Sequence, residues 1–349
     1  MQDAIRKKMK HKNMTNDNKA LTIIICSLLL LIYLSGCSEQ KKEPIESAVK
    51  EEVVKPQVEK VKILRPQVPY KEEIYGDPEI FSEPRLQFAW QAPKEENKTL
   101  WSTYLDGSDL RRVVSPELFF KFDGVVMHLP VRSPDNRYLA VCMDTLEYMG
   151  TAKLLFDLKE KTVTELGGGS YVPHFAWTSD SKTLYYYNGK GFWQYKVESK
   201  KKNLLPTLYS RGLYILDDDR FVTLHSWGYS VHSKDRKEIF RKEVTGGCIA
   251  SRFQQAVSID GKYIFCAVAC NKKPFDILFK LNDPEDILLK SSDYLISYPA
   301  FGPQNKKIYF SQGIVEYLDL ETKETKEVFR MTRRPIGELT IFNLKKGNI

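Results

Sequence analysis

Ser133-Pro134-Asp135-Asn136-Arg137-Tyr138-Leu139-Ala140-Val141 carries a polar turn, one basic residue and then an aromatic and aliphatic run. Asp and Asn tolerate the left-handed backbone that tight hairpin turns demand, and the run after them reads as a strand. Working outward, five further segments share this pattern: Arg85 to Trp90, Lys182 to Tyr186, Arg220 to Leu224, Lys262 to Phe265 and Lys306 to Phe310. The intervals between the basic residues are 52, 45, 38, 42 and 44. That period is the length of one four-stranded propeller blade.

Three more of these turns contain Asp, in Asp180-Ser181, Asp218-Asp219 and Asp260-Gly261, and the last uses Gln304-Asn305. Each run is followed by a second strand and another polar turn, as in Leu100 to Leu105 with Asp106-Gly107-Ser108-Asp109. Period-two patterning with little helical periodicity makes the chain all-β. A four-stranded blade cannot bury both of its faces alone, so a ring of six is expected to stack them. Leu339 to Asn343 is expected to supply a closing strand that pairs with the first blade.

Ser133 to Ala140, together with Tyr104-Leu105-Asp106-Gly107-Ser108, resembles the repeats of TolB-like propellers over residues 76–349. The full Ser-Pro-Asp occurs only in the second blade. The fourth has Leu216-Asp217-Asp218 and the sixth Gly302-Pro303-Gln304.

The N-terminus reads differently. Arg6, Lys7, Lys8, Lys10, Lys12 and Lys19 precede a 15-residue apolar run, Ala20 to Leu34, which is the layout of a secretory signal. A helix that crosses a bilayer needs about 20 such residues. Leu34-Ser35-Gly36-Cys37 resembles the bacterial lipobox in all four positions. The resemblance implies cleavage before Cys37 and acylation of its thiol. Two or three acyl chains, at about 0.8 kcal/mol per buried CH₂, would hold the chain on a membrane. Ser38 in place of Asp resembles lipoproteins of an outer membrane, facing the periplasm, in a two-membrane host.

Three segments are therefore expected: a signal peptide over 1–36, a lipidated N-terminus and tether over 37–75, and the propeller over 76–349. The tether is rich in Lys, Glu, Pro and Val and poor in aromatics, as disordered linkers are. Extended at about 3.3 Å per residue, it would reach on the order of 100 Å. Packing of part of it on the domain is the other reading. Six of the 53 Lys and Arg and two of the 45 Asp and Glu lie in the first 36 residues, which leaves 47 against 43. That near balance removes compositional support for a nucleic-acid partner.

Candidate chemistry is sparse. Beyond Cys37 the exported part has Cys142, Cys248, Cys266 and Cys270. In one reading Cys248 is bonded to Cys266 or Cys270, and in the other the thiols are buried and free. Cys266 and Cys270, four apart in one strand, would be about 13 Å away from each other, so a direct bond between them requires the strand to end early. His128 and His174 fall near the starts of innermost strands and would face a central channel. A ligand or metal there competes with the commoner hydrogen-bonded structural role. Asp217-Asp218-Asp219 reads as a solvated hairpin rather than a calcium site, and Gly167-Gly168-Gly169-Ser170 as a loop between blades. No cofactor or metal is expected apart from the lipid on Cys37.

The composite expectation is a non-enzymatic, membrane-tethered propeller that binds an envelope protein, peptide or other envelope component. His128, His174, Gln254 and Tyr298 would line or rim its recognition face. The alternatives are a hydrolase or lyase working in the central pocket and a structural envelope spacer.

Overall fold

The computed structural model describes residues 62–64 and, between 70 and 342, all except 94–97, 115–117, 119–123, 146–149, 170–173, 190, 206–211, 244–247, 250–254, 271–272, 284, 292–295, 312 and 332–338. The expected signal peptide, Cys37 and most of the expected tether lie outside the described residues.

Six antiparallel sheets follow one another along the chain. Blade two runs outward from the axis through Gly124–Arg132, Tyr138–Thr145, Gly150–Asp157 and Thr162–Gly169. Blade three is Phe175–Trp177, Thr183–Tyr187, Phe192–Lys196 and Lys201–Leu205. Blade four is Gly212–Ile215, Phe221–Leu224, Gly228–His232 and Glu238–Glu243. In blade five the innermost strand comes as two pieces, Cys248–Ile249 and Gln255–Val257, both pairing with Tyr263–Cys270. Lys273–Lys280 and Ile287–Ser291 follow. Blade six is Ala300–Phe301, Lys307–Ser311, Ile314–Asp319 and Thr325–Met331.

Blade one is assembled from both ends of the domain. Arg85–Trp90, Thr99–Tyr104 and Arg111–Arg112 come early, while the innermost strand is Thr340–Phe342, with Arg85 opposite Phe342. The expected closing strand is therefore present, and it joins the ring end to end.

The period-two pattern has apolar residues at both parities because each blade is covered on both faces. Leu139, Val141 and Met143 pack with Ala89 and Leu100 of blade one, whereas Ala140 and Cys142 pack with Phe175, Trp177 and Tyr186 of blade three. Four more clusters fill the remaining interfaces, and the last sets Tyr309, Val315 and Phe329 of blade six against Phe88, Trp90 and Trp101 of blade one.

The repeated turn motif has a shared bonding pattern. The hydroxyls of Ser133, Thr178 and Ser258 accept the backbone N–H of Tyr138, Thr183 and Tyr263 at 2.9, 3.1 and 2.9 Å. The carboxylates of Asp135, Asp180 and Asp260 accept the N–H of Arg137, Lys182 and Lys262 at 3.1, 3.0 and 3.1 Å. Between them sit Asn136, Ser181 and Gly261 at φ of 63°, 60° and 67°. A short acceptor, an Asp and a residue that tolerates positive φ are what such a hairpin requires.

Two expectations need correction. Gly167 to Gly169 do not form a loop; they end the outer strand of blade two, paired with Thr151 to Lys153. Exposed edge strands tolerate glycine because few side chains need packing there. The folded unit also begins before residue 76. Lys62–Leu64 pairs in parallel with Phe329–Met331 at the outer edge of blade six. Tyr70 stacks edge-on against Trp101, and Glu72 bridges to Arg112. Asp77 then caps a one-turn helix, Pro78–Phe81, its carboxylate accepting the Glu79 N–H at 2.9 Å.

Candidate functional site

The innermost strands run toward the end of the ring where they turn into the second strands. There the blades are stitched turn to turn. The Asp135 N–H donates to Ser181 Oγ (2.9 Å), the Ser179 N–H to Asp219 Oδ1 (2.9 Å), the Asp217 N–H to the Ile259 carbonyl (2.9 Å) and Asn305 Nδ2 to Asp260 Oδ2 (2.9 Å). Thr340 Oγ1 donates to the Pro130 carbonyl at 2.6 Å, linking blade one to blade two. A rigid mouth results, with exposed Pro134 and Ser179 on its rim.

Inside this mouth lies a cavity of about 760 Å³. Every blade contributes: residues within 131–136, 174–179, 213–217, 255–259, 299–301 and 339–342, with Phe81 from the short helix. The wall is largely apolar, with Trp177, Ile215, Phe301 and Phe342 prominent. Its size and character fit the usual range for small-molecule pockets.

The polar groups on this wall are mostly engaged. Arg132, its side chain 1% exposed, forms an ion pair with Glu73, itself 3% exposed. Its Nε donates to Gln87 Oε1 at 2.6 Å, and its guanidinium lies 4.1 Å from the Phe342 ring centre. Burial pulls the Arg132 pKa down and the Glu73 charge opposes that pull. An arginine remains cationic regardless. Tyr214 Oη donates to the Gln255 carbonyl at 3.1 Å, and Ser258 Oγ to Asp260 at 2.8 Å. The exceptions are Arg132 Nη1 and the Gln255 carboxamide. Gln255 is 5% exposed, and neither its Nε2 nor its Oε1 has a hydrogen-bond partner among the described residues.

Glu73 belongs to a strap, residues 70–81, sewn across blade one by charge. Ser102 Oγ donates to Glu73 Oε2 at 2.7 Å. Arg111 pairs with Asp77 (2.8 Å) and Glu79 (3.0 Å), and Asp109 receives Lys71 (2.8 Å), Arg85 (2.9 Å) and Arg111 (2.7 Å). Burial works against the charge on Asp109, but these three cations outweigh it and bring the carboxyl down to about 2. None of the strap was singled out from the sequence, because its acidic and basic residues look like those of a solvated tether.

Among the residues expected to form the recognition face, His174 is buried and lines the cavity just before Phe175. His128 lies opposite Cys142 within the inner strand of blade two, well inside the strand rather than at its start. Its side chain, like all of Gln254, is outside the described residues. Tyr298 sits at φ 56° immediately before the blade-six segment, where Pro299 and Ala300 line the wall in its place. Gln255, next to the expected Gln254, is the polar residue that sequence reasoning missed; only the exact start of a short inner strand separates the two.

The cysteine pairing through Cys266 is not formed. Cys266 is a fully buried free thiol packed with Val222 and Val231, and Cys248 lies opposite Ala269, three residues or about 10 Å along the strand. That spacing exceeds the roughly 7 Å limit for bridging Cα atoms. The side chains of Cys248 and Cys270 are outside the described residues. In the Asp217-Asp218-Asp219 turn, Asp218 pairs with Arg220 and Asp219 with Lys234, at 2.7 and 2.9 Å. Among the described residues no group of three His, Cys, Asp or Glu is placed to hold a metal ion, and no helix is long and apolar enough to cross a membrane.

No protein-family model and no curated protein matches the chain. Among solved structures, a chain of the nidogen/laminin complex superposes with a TM-score of 0.52 at 11% identity, over 74% of this chain and 98% of that one. A prolyl endopeptidase gives 0.47 at 11% identity, over 70% of this chain and 48% of that one. Hydrazine synthase from Kuenenia stuttgartiensis gives 0.41 at 12%, over 57% and 64%. The last two scores are too low to carry an argument, and at 11% identity the first speaks for the fold alone. By architecture the chain is a six-bladed β-propeller with an open, largely apolar cavity on its axis.

Proposed function

We propose that this protein is an exported lipoprotein, acylated on Cys37, whose propeller captures an envelope protein or other envelope component at the mouth of the axial cavity. Leu34-Ser35-Gly36-Cys37 supports the anchoring. The capturing face is supported by one observation above all: six inner strands and their stitched turns converge on a single rigid mouth that opens into a cavity of about 760 Å³. Binding energy at such surfaces concentrates in a few aromatic and arginine anchors set in pockets, and Trp177, Phe342 and Arg132 are of that kind. A TolB-like identity accords with the turn motif that Ser133, Asp135 and Tyr138 build.

The test is crosslinking of the full-length lipidated protein in its native envelope, followed by mass spectrometry. Pro134→Arg and Ser179→Arg alter the exposed rim without touching the blade cores. Loss of a specific adduct in both variants supports the reading. Adducts unchanged by either substitution, or made only by the tether, count against it and favour a spacer.

A further inference from the structure

We propose that the axial cavity is a binding site for a small neutral molecule whose apolar body fills the aromatic-lined lumen and whose one planar amide-type group pairs with the Gln255 carboxamide. The inference goes beyond partner capture at the rim and does not depend on it.

The argument starts from Gln255. Its donor and acceptor are both buried and unpaired among the described residues, in a wall that is mainly hydrocarbon. A buried polar group without a partner carries a desolvation penalty, so a complete amide left in this state calls for a complementary group. An amide, lactam or protonated carboxyl offers one donor and one acceptor side by side, which is what a carboxamide can satisfy. Water entering the open cavity could satisfy either atom singly, whereas an amide satisfies both at once.

Gly212 supplies an independent observation. A Cβ placed there would stand 3.0 Å from Gln255 Oε1, so the glycine leaves room for the carboxamide between blades four and five. The terminal torsion of glutamine is soft, so the group can turn to meet a ligand.

Charge accounting sets the neutrality. The Arg132 guanidinium in the wall is matched by Glu73, and that pair is almost sealed from solvent. A ligand anion would have to displace an internal carboxylate, whereas a neutral amide displaces nothing. Shielded from water, its hydrogen bonds to Gln255 would also be stronger than the same contacts at a surface.

The experiment uses full-length protein in detergent and two fluorinated probes of similar shape, 4-fluorobenzamide and 4-fluorotoluene. Fluorine NMR line broadening at millimolar concentration reads their binding. The amide should bind at least about tenfold more tightly than the toluene, which corresponds to about 1.4 kcal/mol. In Gln255→Leu that preference should vanish while the melting temperature rises, because an unpaired polar group has been replaced by hydrocarbon. Gly212→Ala, which crowds Oε1, should weaken the amide more than the toluene. Should Gln255→Leu fail to fold, Gln255→Met takes its place.

Equal broadening by both probes, absence of binding by the amide, or a preference unchanged in the Gln255 variant would each overturn the inference. So would a fall in the melting temperature of a folded Gln255→Leu, which would mean that the carboxamide is already satisfied inside the protein. A protein that selects the amide yet captures no partner upholds this inference while refuting the capture reading; the converse result refutes this one alone.

Discussion

Replacing Glu73 with Gln isolates the contribution of the strap. The native side chain is 3% exposed and faces an Arg132 side chain that is 1% exposed, so both charges have been taken out of water. Removing one partner leaves the other charge buried and uncompensated, a change that costs about 3–5 kcal/mol in such settings. Glutamine keeps the shape and can still accept from Ser102 Oγ, so the loss reports the charge pair. At roughly 2–4 °C per kcal/mol for a domain of this size, the melting temperature should fall by about 10 °C. An exposed pair on the same strap provides the control. Glu72 and Arg112 are 52% and 16% exposed, so Glu72→Gln should cost less than about 1 kcal/mol. Adding Arg132→Met to Glu73→Leu should restore much of the loss, because a well-packed apolar pair can replace a buried ionic one. Urea denaturation followed by tryptophan fluorescence measures all four variants. A Glu73→Gln penalty no larger than that of Glu72→Gln would refute the buried pairing and with it the docking of the strap.

Three further outcomes follow from the same structure. Asp276 is fully buried, and burial raises its pKa from the usual 3.8 to about 6, only partly offset by the Ile296 N–H at 2.8 Å. The folded state thus holds this proton more tightly than the unfolded chain, so stability from this group is full below about pH 4 and is lost as pH rises through 6. Asp276→Asn should therefore stabilise at pH 8 by up to about 3 kcal/mol and have little effect at pH 4, as paired urea titrations will show. Gly107 has φ of 77°, and a Cβ there would meet the buried Phe329 ring at 2.6 Å, across the seam between blades six and one. Gly107→Ala should destabilise by about 2–4 kcal/mol through backbone strain plus overpacking, read as a lower melting temperature. Cys37→Ser should abolish fatty-acid labelling in cells and leave the unprocessed precursor on a gel; labelling that persists would remove the anchoring proposal.

The propeller was legible in the sequence because its turns are built from side chains. The side chains of Ser133 and Asp135 and their counterparts at Thr178, Asp180, Ser258 and Asp260 accept backbone N–H groups within five residues. Such local chemistry repeats wherever the hairpin repeats. The strap was not legible, since Lys71, Glu72, Glu73, Asp77 and Glu79 find their partners at Asp109, Arg112, Arg132 and Arg111, some 30 to 60 residues away in blades one and two. Charge that is buried by distant partners has the same composition as charge left in water. The cavity wall fell between these cases. His174 could be placed because it precedes Phe175-Ala176-Trp177, whereas one residue of uncertainty in a three-residue strand separated Gln254 from Gln255.

The pairing of Arg85 with Phe342 also bears on when this molecule can fold. The first sheet in chain order lacks its axial member until residue 342 has been synthesised, so the early part of the chain must wait with an unpaired edge on its second strand. Joining partners so far apart in sequence is an intrinsically slow step. A waiting edge of that kind invites wrong pairing, which makes the interval between emergence of residue 90 and residue 342 the period when a holding chaperone would matter most.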